Sequence, residues 1–208
     1  MSNVLPAEVW AIDWGAKPEK RQRCRAVLRG GRYTIERPAP VTVEELRDLP
    51  SGVLAGFDCS FGLSHAYAQA AGITTFREGL RRFGAGEFVR FYEPAATPDE
   101  IDVTRPFYPA GTKGTRDEQD RKLGAEPARA LRRCDTASGA GPLFWLVGPK
   151  QVGRSAITVW RDVLVPQLDR VALWPFDGRL DALLATKKPV VAELYPGFLQ
   201  RFWLGLPH

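Results

Sequence analysis

With 208 residues, 44% of them hydrophobic and 25% charged, the chain has the composition of a globular protein that can bury a substantial core, which excludes bulk disorder. Its three cysteines, Cys24, Cys59 and Cys134, are odd in number and widely spaced, which argues against a disulfide framework or a paired-cysteine zinc site and makes a reducing cytoplasm the expected compartment. The formal charge of +5 permits a nucleic-acid partner without requiring one, and no run approaches the roughly 18 apolar residues of a membrane span, so no membrane association is expected.

In chain order, residues 9–15 (VWAIDWG) form a short apolar run that delivers Asp13 to a strand end, where a carboxylate needs a metal ion or a hydrogen-bond donor. A charged turn over 16–23, a strand over 24–28, the Gly30-Gly31 turn and a strand over 32–36 complete an antiparallel meander. Thr42 followed by Glu45 is a capping-box pattern, so a short helix is expected to about Leu49, where Pro50 stops it. The next strand, 53–58, is reached through that crossover. It should run parallel to the first and bring Asp58 to the same sheet edge as Asp13.

Helical composition covers 66–71 and 75–83, with Phe76, Leu80 and Phe83 on one face. From 93 to about 127 no helical or strand period survives, so a single domain over 1–208 with a flexible insertion there is expected. Its Arg and aromatic residues are those a base-stacking or phosphate-contacting flap would use. Residues 129–135 (RALRRCD) end a helix or approach a site, and they offer Asp135 beside Arg132 and Arg133. The loop 148–153 carries Lys150 but lacks P-loop spacing. A partly buried helix over 155–168, a strand over 171–174, a turn over 175–178 and a helix over 181–186 follow, and the strand 190–194 delivers Glu193.

Asp13, Asp58 and Glu193 are thus three carboxylates at three strand ends, an oxygen donor set suited to Mg²⁺ or Mn²⁺. Ions held this way can activate water for phosphodiester hydrolysis. His65 and His208 are the only histidines, which argues against a histidine-based triad.

The segments VWAIDWG, VLAGFDCSFGL, RRCD, WPFDG and VAELYP, taken in this order, resemble the domain of unknown function 429 family, a predicted nuclease family of the ribonuclease H-like superfamily. The resemblance implies an α/β fold with a ribonuclease H-like mixed sheet, antiparallel meander plus parallel strands, flanked by helices. It carries over to Asp13, Asp58, Arg133 with Asp135, and Glu193 with Tyr195 and Pro196. The function it implies is a metal-dependent nuclease: Asp13, Asp58 and Glu193 as metal ligands, Asp135 as a further catalytic acid, and Arg132, Arg133 and Lys150 on the substrate phosphate. No helix is visible after Pro196 to supply the superfamily's further acid: either Asp135 takes that place, or a tail is missing, or the ion site is incomplete. Two other readings remain: a phosphotransferase of the actin and sugar-kinase type, whose first strand also ends Asp-x-Gly as Asp13-Trp14-Gly15 does, and a catalytically silent binding module whose acids cap turns.

Overall fold

Alternating burial decides the first strand. In the computed structural model, which describes residues 4–15, 17–108, 115–125, 130–147, 152–197 and 199, β1 (Glu8–Asp13) buries Trp10 and Ile12 and exposes Ala11 and Asp13. β2 (Gln22–Arg29) pairs with it antiparallel, setting Asp13 opposite Gln22. Gly30 and Gly31, at φ 56° and 80°, make the turn into β3 (Arg32–Ile35), where a side chain would strain the backbone. A two-residue strand, β4 (Ala39–Pro40), also pairs with β2.

Helix α1 (Val43–Leu46) starts where the capping box predicts. The Thr42 hydroxyl accepts from the Glu45 amide at 3.3 Å, and the Glu45 carboxylate accepts from the Thr42 amide at 2.8 Å. Leu46 is buried, and β5 (Val53–Phe57) then runs parallel to β1 with Ile12 level with Phe57.

The chain divides into two compact units, residues 1–59 with 158–208, and residues 60–157. The segment 93–127 lies inside the second. That unit begins with α2 (His65–Ala70) and α3 (Phe76–Arg82), capped by Ser64 and Thr75. Phe76, Leu80 and Phe83 are buried, as their helical spacing predicts, and Phe83 stacks on Phe91 with ring centroids 3.6 Å apart.

The part of 93–127 that the structure describes departs from the expected loop. α4 (Arg116–Lys122) forms there, with Thr115 capping the Glu118 amide, a Thr-x-x-Glu signature outweighed by the surrounding Gly, Pro and charge. Before it, Asp102 accepts from the amides of Thr104 and Arg105 at 2.7 and 3.0 Å, and the Arg105 guanidinium pairs with Glu100 and donates to Pro94 O. Arg105, Phe107 and Tyr108 are buried, so these residues are core and not a stacking flap. α5 (Arg133–Ser138) begins at the RRCD segment, and Gly139 ends it in the left-handed region at φ 68°.

α6 (Val152–Thr158) leads into a π-helical stretch, Val159–Leu164, and a 3-10 turn, Val165–Gln167. In the first unit, the buried Gln167 amide donates to Leu46 O at 2.6 Å and Val163 O at 2.9 Å. β6 (Ala172–Trp174), α7 (Leu180–Ala185) and β7 (Val190–Glu193) complete it, and Leu180, Leu183 and Leu184 pack on Ala172, Val190 and Leu54. The sheet order is β3-β2-β1-β5-β7-β6, with β4 beside β2. β1, β5, β7 and β6 are mutually parallel, and β2 and β3 form the antiparallel meander. The α/β mixed sheet read from the sequence is therefore the observed one. No helix among the described residues is long and apolar enough to cross a membrane.

Candidate carboxylate site

β1, β5 and β7 are neighbours in the sheet and share one direction, so their C-terminal ends share one edge. Asp13 is the last residue of β1, Asp58 follows the last residue of β5, and Glu193 is the last of β7, level with Phe57. Behind the carboxylates the register aligns Ala11, Gly56 and Ala192, a row of small residues across the three strands. A Cβ on Gly56 would already lie 3.0 Å from the Cβ of Leu194.

The end of β1 is held by the residue after it. Trp14 is 1% exposed, donates from its indole N–H to the Thr158 hydroxyl at 2.8 Å, meets Phe57 edge-on, and carries the Arg21 guanidinium over its ring at 4.0 Å. Arg21 in turn donates to Gly15 O at 3.2 Å. Asp13 is thus presented to solvent from a backbone fixed on its other side.

Asp58 is half-buried and follows the Ile12 carbonyl, to which its amide donates at 2.9 Å. Burial, then the charges of Asp13 and Glu193, raise its carboxyl from an ordinary 3.8 to about 6. Both charges act on Asp58 in the same direction as its burial, and a bound cation would relieve them. Among the described residues of the first unit, no three His, Cys, Asp or Glu bring one ligand atom each within 4.8 Å of one another. The arrangement therefore lacks a closed three-carboxylate cage around one bare ion.

The remaining predicted site residues lie in the second unit. Asp135 is 2% exposed and grips the buried Arg132, whose Nε and Nη2 donate to it at 2.9 and 2.5 Å, and it also accepts from the Arg132 amide at 3.0 Å. Arg132 further donates to Phe61 O and, at 3.1 Å, to the Ser60 hydroxyl. This pair closes on itself, which leaves Arg132 few donors for a phosphate. Arg133 is exposed, and Lys150 lies outside the described residues. Sequence reasoning missed Trp14 and Arg21 as supports of the site; the signal available was Trp directly after the strand-end acid, with Arg seven residues on.

Comparison of the chain with protein-family models, with curated proteins and with solved structures gives no match. The functional reading rests on the residues and their geometry.

Proposed function

We propose that the protein is a metal-dependent phosphodiester hydrolase of ribonuclease H-like type that acts on nucleic acid in the cytoplasm. The observation that supports this reading is the meeting of Asp13, Asp58 and Glu193 at one edge of three adjacent parallel strands, with Asp58 held near 6 by burial and by the other two charges. Asp58 and Asp13 would hold a hydrated Mg²⁺ or Mn²⁺, with Glu193 reaching it directly or through its waters. The ion supplies a lowered water pKa and charge neutralisation at the phosphate.

The chain's own part is electrostatic and positional. Asp58 must be ionised to serve as a ligand, so ion binding should strengthen as pH rises through about 6. The small residues behind it, Ala11, Gly56 and Ala192, leave the strand edge unobstructed. Trp14 keeps Asp13 facing out.

The test is cleavage of single-stranded, hybrid and branched nucleic acids with Mn²⁺, Mg²⁺ or chelator. Metal-dependent products that vanish in Asp58→Asn are the expected result. The absence of such products, or equal cleavage by the variant, overturns the reading.

A further inference from the structure

The sheet ends on one side at β3, a strand whose four residues are all exposed and whose only partner strand among the described residues is β2. Which backbone groups it offers outward follows from that pairing. The Glu36 amide donates to Arg25 O at 2.8 Å, toward β2, whereas the amide of Leu28, the residue opposite Tyr33, points away from β3 to Ala7 O at 2.9 Å. In an antiparallel ladder these directions alternate, so Thr34 turns its N–H and C=O to β2 while those of Tyr33 and Ile35 face away from the sheet. Such an edge is a template for another strand.

The side chains select the strand that fits. Ile35 is 74% exposed, and Tyr33, on the same face of the strand, is held in place by its hydroxyl, which donates to Pro6 O at 2.8 Å. On the opposite face, Arg32 and Glu36 stand two residues either side of Thr34, and Arg25 fixes Glu36 at 3.2 Å. Edge strands often carry charges that repel a like edge. Here the two signs are opposite, so a second β3 laid antiparallel about Thr34 meets each Arg32 with a Glu36 and each Ile35 with a Tyr33. In that register Tyr33 and Ile35, whose backbone groups face outward, also exchange both hydrogen bonds. A shift by one residue sets outward groups against inward ones, and a shift by two in either direction loses the match of Arg32 with Glu36.

We propose that β3 is the contact of a homodimer, pairing antiparallel with β3 of a second copy of this chain about a two-fold axis at Thr34, so that one sheet runs through both copies. A two-fold contact uses the same residues on both sides, and charges of opposite sign within one strand are what allow such a contact to attract. Pro38 and Pro40, which have no N–H to donate, keep the pairing from extending along the edge. The contact is therefore short and the dimer weak, forming at concentrations on the order of 10–100 µM.

The proposal is independent of the phosphodiesterase reading and is tested on the whole chain by sedimentation velocity from about 5 to about 500 µM. A concentration-dependent equilibrium of monomer and dimer is expected. Ile35→Asp, which alters an exposed side chain, should weaken the dimer roughly tenfold or more. Arg32→Glu and Glu36→Arg each set like charges against one another across the pair and should be monomeric alone; mixed in equal amounts they restore both contacts of opposite charge and should form a heterodimer. Circular dichroism checks that each variant folds, and the Ile35→Asp arm decides the matter if Glu36→Arg, which also loses the bond to Arg25, does not. A monomer at every concentration, a dimer as tight in Ile35→Asp as in the unaltered protein, or a mixture that stays monomeric overturns the proposal.

Discussion

Asp58 and Asp120 are both carboxyls raised from 3.8 to about 6, chiefly by burial, and the sign of their effect on stability is the same. Between the unfolded and folded values the native state binds more protons, so stability falls as pH rises from about 4 to about 6. The rise from 3.8 to about 6 corresponds to roughly 3 kcal/mol, which solvent screening reduces to an order of 1–2 kcal/mol for each group. Asp58→Asn should therefore be more stable than the unaltered protein by that amount at pH 7.5 without metal, with the gain vanishing toward pH 4. Urea denaturation at the two pH values checks it, and a variant destabilised at pH 7.5 would show that Asp58 has a favourable partner. Added Mn²⁺ should raise the melting temperature of the unaltered protein and leave Asp58→Asn unmoved, because a ligand stabilises only the state that binds it. Asp13, Asp58 and Glu193 were legible as a group because each ends an apolar run. Asp120 was not, since it sits in RDEQDRK, where every other charge is a surface charge and only tertiary packing buries Gln119 and Asp120.

At the scale of the element, the supports of the site are single side chains on strand and helix ends. Trp14→Ala removes a fully buried indole, its hydrogen bond to Thr158 and the shelf for Arg21, a loss of about 3–5 kcal/mol by denaturant unfolding. A loss under about 1 kcal/mol would show that the β1 end is held by other means. Gly153 in α6 is a different kind of constraint. A Cβ there would run into the Leu143 carbonyl oxygen and crowd Leu146 and Phe107, so Gly153→Ala should destabilise the protein by about 1–3 kcal/mol, read as a fall in melting temperature. Elements with a local signature were read correctly: the Gly30-Gly31 hairpin, the Thr42–Glu45 cap and the amphipathic face of α3. α4 was missed because its seven residues carry no apolar stripe, and the two-residue β4 because pairing with β2 alone defines it. Arg132 and Asp135 were read as a phosphate contact and a catalytic acid; the structure buries them as a pair whose further partners, Phe61 and Ser60, lie more than seventy positions away in the chain.

Across the whole molecule, the parallel alignment of β1 and β5 followed from a crossover helix between them, and the antiparallel meander from its turns. The order of the last two strands did not: nothing local tells β7 to enter between β5 and β6, a choice made by packing of Leu54, Val190 and α7. With a surplus of five positive charges, any affinity for nucleic acid should be salt-dependent, weakening by roughly tenfold or more between about 50 and 200 mM salt; a salt-independent affinity would point to recognition without phosphate contacts. The late arrival of β7 also bears on how the chain is made. Residues 58–189 are synthesised between β5 and the strand that covers its free edge, so a nascent chain that has already paired β1 with β5 must carry an open β5 edge through that interval on the ribosome. Chaperone dependence should accordingly peak while residues 58–189 are being made, and chains stalled before Val190 should be the ones that aggregate.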